Sequence, residues 1–298
     1  LIFEINKLEV ELSKNHINKV TKKDLNEVLK MKIDIPIYEL GGVSNNKNKL
    51  IKQLSNKVLG QNKAIEELVN TYINNLDDNN CYGVMFAGSS GVGKTQLAIE
   101  FAKIISNNHI RLDMSEYSEE HSISKLIGSP AGYVGYGDNG HIFERIRTYP
   151  FSILILDEIE RAHPKVVNLF LQILDNNKIK DASGKDIYFN NVIILMTTNI
   201  VSKEGLGFKK TINNKELNDY FGVPFMNRVS NVINFEKLNI EVINQIIDKI
   251  LKENFKNFKL NQKEKDEIIK KSNYFEYGAR QLNSLIKKAY KNDFVETI

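Results

Sequence analysis

The sequence predicts an α/β fold, a parallel sheet covered by helices on both faces, followed by a small, mainly helical domain. Three observations carry that expectation. Short apolar runs alternate with helical stretches: Val84–Ala87, Ile110–Leu112, Ile153–Leu156, Val192–Met196 and Val232–Ile233. Strands buried on both faces lose the polar alternation of a half-exposed sheet, so such runs mark a doubly covered one. Beyond Phe235 the strand pattern nearly stops while helical spacing continues. Between the first apolar run and the helical stretch Gln96–Ile105 lies Gly88-Ser89-Ser90-Gly91-Val92-Gly93-Lys94-Thr95, a glycine-rich connection from strand to helix.

Taken in order, residues 1–49 read as a polar lead-in and linker. Thr21–Leu29 has the pattern of a short capped helix, and Gly41–Lys49 that of a Gly/Asn/Lys linker. Residues 50–235 form the large domain. Its first helix places Ala64, Ile65, Leu68, Tyr72, Ile73 and Leu76 at helical spacing. Residues 236–298 form the small lid, with helices near Ile240–Phe258, Gln262–Lys271 and Ala279–Phe294. An opening Leu1 rather than Met is expected of a piece of a longer protein.

Composition narrows the class. A net charge of +4 over 298 residues gives no reason to invoke nucleic acid or an anionic membrane. The lone Cys81 cannot form an internal disulfide, which suits a reducing compartment. No apolar run reaches bilayer length, and no signal peptide is visible.

The octad is G-x-x-x-x-G-K-T. Its glycines let backbone N–H groups wrap phosphate oxygens, and the following helix N-terminus favours negative charge. Lys94 would reach the β- and γ-phosphates of ATP, and the Thr95 hydroxyl would ligate Mg²⁺. Ile153–Leu156 ends in Asp157-Glu158, so Asp157 can hold the Mg²⁺ shell and Glu158 can act as general base toward water. Adjacent acids at that place point to hydrolysis rather than mere nucleotide holding. Asn199, after the next apolar run, can orient the attacking water, although asparagine is also a common turn residue there. Arg228 and Arg280 are candidate stabilisers of transition-state charge, against the more frequent fate of a surface ion pair.

The order of glycine-rich loop, Asp-Glu strand, Thr198-Asn199, Asn227-Arg228 and Gly278-Ala279-Arg280 resembles the AAA+ ATPases. Asp113–Tyr117, Leu126–Tyr136 and Leu156–Pro164 narrow the likeness to the second ATPase module of the Clp unfoldases. Gly128-Ser129-Pro130 and Glu276–Arg280 most resemble the ClpC branch, found in bacteria and plastids. The likeness runs from about Leu50 to Tyr290, and the lead-in resembles the junction between the two Clp modules.

The resemblance implies further roles. Val58, Leu59, Gly60 and Gln61 would lie against adenine, Asn199 and Arg280 would be the two sensors, and Arg228 would be an arginine finger for a neighbouring subunit's ATP. A finger in trans implies a ring, a homo-hexamer in this family. Tyr133 and Val134, between Gly132 and Gly135, would form the central pore loop that drags unfolded protein substrates through the ring, and Lys180–Asp186 the lower one. Leu206-Gly207-Phe208 resembles the tripeptide with which Clp ATPases dock a ClpP-type peptidase. The expected setting is a bacterial cytoplasm or an organelle stroma, plastid or apicoplast. Two departures stand out: the finger segment Gly222–Ser230 lacks the acids that usually flank it, and relatives usually add further strands to the lid.

Rival readings are a stand-alone disaggregase of ClpB type, an AAA+ machine acting on nucleic acid, and a non-catalytic nucleotide-binding scaffold. A nucleic-acid machine would be expected to carry a basic stripe or an added DNA-binding domain, and neither is seen. A scaffold would usually lack Glu158 or Arg228, and both are present.

Overall fold

The computed structural model describes residues 43–76, 78, 80–129, 142–200, 214–255, 258–274 and 278–296. Two helices lead in, α1 (Val43–Lys57) and α2 (Asn62–Asn74). Strand β1 (Tyr82–Ala87) then feeds the glycine-rich loop and α3 (Lys94–Ile105). Next come β2 (His109–Asp113), two 3₁₀ turns, the short α4 (Ser124–Ile127), α5 (Ile142–Thr148) and β3 (Ile153–Asp157). A 3₁₀ turn (Ile159–Arg161) leads to α6 (Pro164–Asn176). The hairpin β4 (Lys178–Lys180) and β5 (Asp186–Tyr188) and then β6 (Ile193–Thr198) follow. Helices α7 (Asn214–Phe221) and α8 (Val223–Met226) precede β7 (Val229–Asn234). The chain closes with α9 (Ile240–Asn254), α10 (Gln262–Lys271), a 3₁₀ turn (Gly278–Gln281) and α11 (Leu282–Glu296).

The main sheet is parallel, in the order β2-β3-β6-β1-β7. Its apolar runs split between its two faces by the period-two rule of a strand. Met85, Ala87, Leu154, Leu156, Ile194 and Met196 belong to one core. Their neighbours Val84, Phe86, Ile153, Ile155, Ile193 and Leu195 belong to the core on the other side. Burial on both faces is therefore why the runs read as continuous hydrophobic segments. A third core gathers the lid around Ile243, Ile247, Leu251, Leu282 and Ile286.

Register decides where the site forms. Ala87 pairs with Thr198, Leu156 with Met196, and Asp113 with Asp157. The carboxyl ends of β1, β6, β3 and β2 thus lie along one edge, where a doubly wound sheet opens a crevice.

Three expectations need correction. Val43–Lys49, read as linker, continues α1 as helix, because the buried Leu50 and Leu54 anchor a helical stripe and polar residues extend the same helix without breaking it. The helix expected to run to Phe258 ends at Asn254, and the rings of Phe255 and Phe258 pack against Tyr290 of α11, tilted and edge-on. The last helix starts at Leu282, after a 3₁₀ turn at Gly278–Gln281. The hairpin of β4 and β5 was not expected at all. It is antiparallel, pairing Ile179 with Ile187 and Lys180 with Asp186, so the segment Lys180–Asp186, read as a lower pore loop, is its turn with the strand residue on each side. Thr21–Leu29 lies outside the described residues.

Candidate active site

The glycine-rich loop follows the last residue of β1 and ends at the first residue of α3. Gly91 (φ 74°) and Gly93 (φ 106°) both take left-handed backbone, which a side chain would strain. Gly88 packs so tightly that a Cβ there would lie 2.9 Å from Phe235 Cβ. Lys94, at the first turn of α3, is buried, and its Nζ donates to Gly88 O (2.7 Å), Ser89 O (2.7 Å) and Asn199 Oδ1 (3.0 Å). Burial lowers its pKa to about 8, against the attraction of Glu160, Glu158 and Asp157.

Asp157 closes β3 and is buried. Its Oδ1 accepts from Thr95 Oγ1 (2.6 Å) and Thr197 Oγ1 (2.7 Å), while Oδ2 pairs with Arg111 Nη2 (2.5 Å). Burial alone would raise its pKa. The hydrogen bonds from Thr95, Thr197 and Arg111 outweigh that and hold the carboxyl below the usual range.

Glu158 has a left-handed backbone (φ 56°), uncommon for a residue with a side chain, which swings the chain from the strand into the 3₁₀ turn. Its N–H donates to Thr197 Oγ1 (2.9 Å). Its carboxylate accepts from Asn199 Nδ2 (3.2 Å), pairs with Arg161 Nε (2.7 Å) and lies 3.7 Å from Arg280 Nη2. Lys94, Thr95, Asp157, Glu158, Asn199 and Arg280 are thereby brought to one place from four parts of the chain.

They line one end of a cavity of about 480 Å³. The rest of the lining, its more apolar end, has Val58 and Leu59 from the segment after α1 with Leu238, Ile246 and Ile250 from the lid, flanked by Lys57, Lys249 and Glu253. The volume lies in the range of small-molecule sites. Ser90 to Thr95 also line it, so the glycine-rich loop and the start of α3 form part of its wall. Gly60, Gly88 and Ser89, expected among the nucleotide contacts, are not among the lining residues. Gly60 (φ 75°) instead packs under Val242 and Leu238, and Gly88 and Ser89 offer their carbonyls to Lys94. Gln61 is a strut rather than part of the wall, its Nε2 donating to Val92 O (3.0 Å) and Glu236 O (2.9 Å).

Mg²⁺ suits this donor set. An anionic Asp157 and the Thr95 hydroxyl, 2.6 Å apart, supply hard oxygens beside the phosphate cradle. Mg²⁺ usually takes one or two protein ligands, substrate phosphates and water. A cage of three or more His, Cys, Asp or Glu side chains is accordingly not needed, and none occurs among the described residues.

Arg228 is not in the cavity. It lies between α8 and β7, exposed, with Nε on Asp175 Oδ1 at 2.5 Å. Tyr133 and Val134, and Leu206, Gly207 and Phe208, lie outside the described residues. Four residues were missed by sequence reasoning. Thr197 and Arg111 hold Asp157, Glu160 holds Asn199, and Lys249 of the lid donates to Asn56 O (2.9 Å) and Lys57 O (2.7 Å) beside the apolar end. Only Glu160 had a visible signal, a third acid in Asp157-Glu158-Ile159-Glu160. No helix among the described residues is long and apolar enough to cross a membrane.

Comparison with known proteins places these features. Residues 80–232, just over half of the chain, match the family model described as AAA domain (Cdc48 subfamily). Similar relatives include chaperone protein ClpB of Malacoplasma penetrans, 35% identical over 96% of this chain and 43% of that protein. ClpB of Mycoplasma genitalium is 38% identical over 90% of the chain and 40% of its own length. The ATP-dependent Clp protease ATP-binding subunit ClpE of Lactococcus lactis is 37% identical over 82% and 35%. Among solved structures, a closed-state cryo-EM reconstruction of Hsp104 with ATPγS and FITC casein superposes with a TM-score of 0.75 at 34% identity, over 88% of this chain and 49% of that one. The chain spans less than half the length of these curated relatives.

Proposed function

This chain belongs to the AAA domain (Cdc48 subfamily) family and is an AAA+ module of the Clp type, and on that premise we propose that it hydrolyses ATP to unfold and translocate polypeptides. One observation carries the ATPase reading. Lys94, Thr95, Asp157, Glu158, Asn199 and Arg280 converge at the polar end of a single cavity whose other end is more apolar. The apolar end takes the base, and the polar end takes the triphosphate. Mg²⁺, held through Thr95 and Asp157, would neutralise phosphate charge when bound. Glu158 takes a proton from the attacking water, Asn199 orients that water, and Lys94 and Arg280 offset the charge developing on the phosphoryl oxygens. Lys94 donates to loop carbonyls and Glu158 pairs with Arg161, partners with which a bound phosphate and the attacking water would compete.

Arg228 is assigned to a neighbouring subunit's ATP. Its exposed pair with Asp175, away from its own cavity, suits a role in trans; a ring follows from that assignment, and the likeness to Clp ATPases makes six the number proposed. Tyr133 and Val134 are assigned to the substrate-gripping loop. Solution mass of Glu158→Gln, with and without ATP, tests the ring: a shift to six subunits supports it, and a monomer under both conditions contradicts it for this chain. Tyr133→Ala, in the assembled protein, should keep ATP turnover while losing protein unfolding. Unchanged unfolding would refute the pore-loop assignment.

Two destinations for the translocated chain remain distinct. Leu206-Gly207-Phe208 favours delivery to a ClpP-type peptidase and a likeness to ClpC. The ClpB relatives favour release of the chain without proteolysis. ATP-dependent degradation of a folded substrate with an added ClpP-type peptidase, lost in Phe208→Ala, selects the first. Refolding of aggregates without peptidase selects the second. Either setting is an intracellular one, bacterial cytoplasm or organelle stroma.

A further inference from the structure

Glu160 lies two residues past Glu158, on the 3₁₀ turn that the left-handed Glu158 initiates. Its Oε1 accepts from two donors of one residue: the backbone N–H of Asn199 (3.0 Å) and Asn199 Nδ2 (3.0 Å). The other edge of that amide, Oδ1, accepts from Lys94 Nζ at 3.0 Å, and Nδ2 also reaches Glu158 Oε1 at 3.2 Å. An asparagine amide has two orientations related by a half turn. Turned over, this one would set its oxygen against two carboxylates and its NH₂ against an ammonium. Glu160 and Lys94 therefore select one orientation, and Glu160 alone also ties down the Asn199 main chain.

The turn is itself anchored, because Tyr220 OH of α7 donates to Glu160 O. The second carboxylate oxygen of Glu160 is buried and has no hydrogen-bond partner among the described residues. A buried acceptor without a partner is costly, so an acid here calls for a reason beyond filling space.

Resting on the ATPase reading above, we propose that Glu160 is a positioning residue that acts through Asn199, fixing the amide face offered to the γ-phosphate and to the water held by Glu158. Glu160 touches no reacting atom itself. Its work is to keep Asn199 poised when ATP draws Lys94 away from Asn199 Oδ1.

The test uses the whole chain as Glu160→Ala, Asn199→Ala, the double variant and Glu160→Gln, with kcat, KM and the affinities for ADP and ATPγS measured for each. Glu160→Ala should lower kcat about tenfold and reduce the preference for ATPγS over ADP, with ADP affinity kept within about twofold. The double variant should be no slower than Asn199→Ala, because residues acting through one another are not additive. Glu160→Gln, which keeps an oxygen for both Asn199 donors, should recover most of the loss. Multiplying losses in the double variant would overturn the proposal. So would a matching loss of ADP affinity in both Glu160 variants, which is what a merely structural role would give. A chain that turns over no ATP before substitution would instead refute the ATPase reading. The ATPγS-to-ADP preference still reads Glu160 in that case.

Discussion

Gly278 of the lid sits against Gly91 of the phosphate loop so closely that a Cβ on Gly278 would stand 2.4 Å from Gly91 O. The next residue, Ala279, donates its N–H to that same oxygen at 3.0 Å. Gly278 also has left-handed backbone (φ 59°), so two independent constraints require glycine. Arg280 is delivered to Glu158 from this contact. Gly278→Ala should therefore leave the large domain folded but displace the lid, weakening nucleotide binding by about tenfold or more. Titration with a fluorescent ADP checks this, and unchanged affinity would mean that the lid contact does not shape the site.

Lys94 sets a pH dependence. Its pKa in the folded chain is about 8, below its ordinary value, so between pH 8 and about 10.5 the unfolded chain holds more protons than the folded one. The contribution of Lys94 to stability in the absence of nucleotide should thus rise with pH across that window. Nucleotide affinity should move the opposite way, since phosphate needs the charged ammonium. Below pH 8 the affinity should be flat, and above it should fall by up to about tenfold per pH unit. Calorimetric titrations from pH 7 to 9.5 measure this, and Lys94→Met should abolish the slope.

Asp181 organises the turn of the β4–β5 hairpin. Its Oδ1 accepts from Ser183 N (2.9 Å), Ser183 Oγ (2.7 Å) and Lys185 N (2.9 Å), while Oδ2 pairs with Arg147 at 2.8 Å. Burial opposes the charge, yet those hydrogen bonds hold the carboxyl well below the usual carboxylate range. Asp181→Ala should cost about 1–2 kcal/mol in chemical denaturation, since the donors on Ser183, Lys185 and Arg147 share this one acceptor but keep some access to water. The contribution of Asp181 exists above the ordinary Asp pKa and is lost as pH falls through the depressed folded value.

Arg228 should behave differently from every cavity residue. Its pair with Asp175 is exposed, and such pairs contribute little, so Arg228→Ala should change stability by less than about 1 kcal/mol. Nucleotide affinity should be unchanged. Turnover should fall only in the assembled protein, by about a hundredfold or more. A loss of affinity in the isolated chain would contradict a role in trans.

Much of the sheet and of the polar end was legible in the sequence, for one physical reason. Buried parallel strands must be apolar on both faces, so β1, β3 and β6 announce themselves, and the phosphate chemistry must follow at their carboxyl ends. What escaped reading was held by side chains far apart in sequence. Nothing local marks Arg111 as the partner of Asp157, or Lys249 as the cap on the last carbonyls of α1. The β4–β5 hairpin escaped because each strand is only three residues long and Ile179 stands alone between two lysines. The linker reading of Val43–Lys49 differs from the structure because polar composition does not by itself mean irregular backbone: these residues extend the helix that the buried Leu50 and Leu54 anchor.

The most direct test of the account is ATP turnover by Glu158→Gln beside the unsubstituted chain, with nucleotide affinity measured on the same preparations. Loss of the general base with the cradle intact should lower turnover by about a hundredfold or more while affinity stays within about threefold. Turnover that survives the substitution would show that the water is not activated at Glu158, and the site assembled around Asp157, Glu158 and Asn199 would have to be given another role.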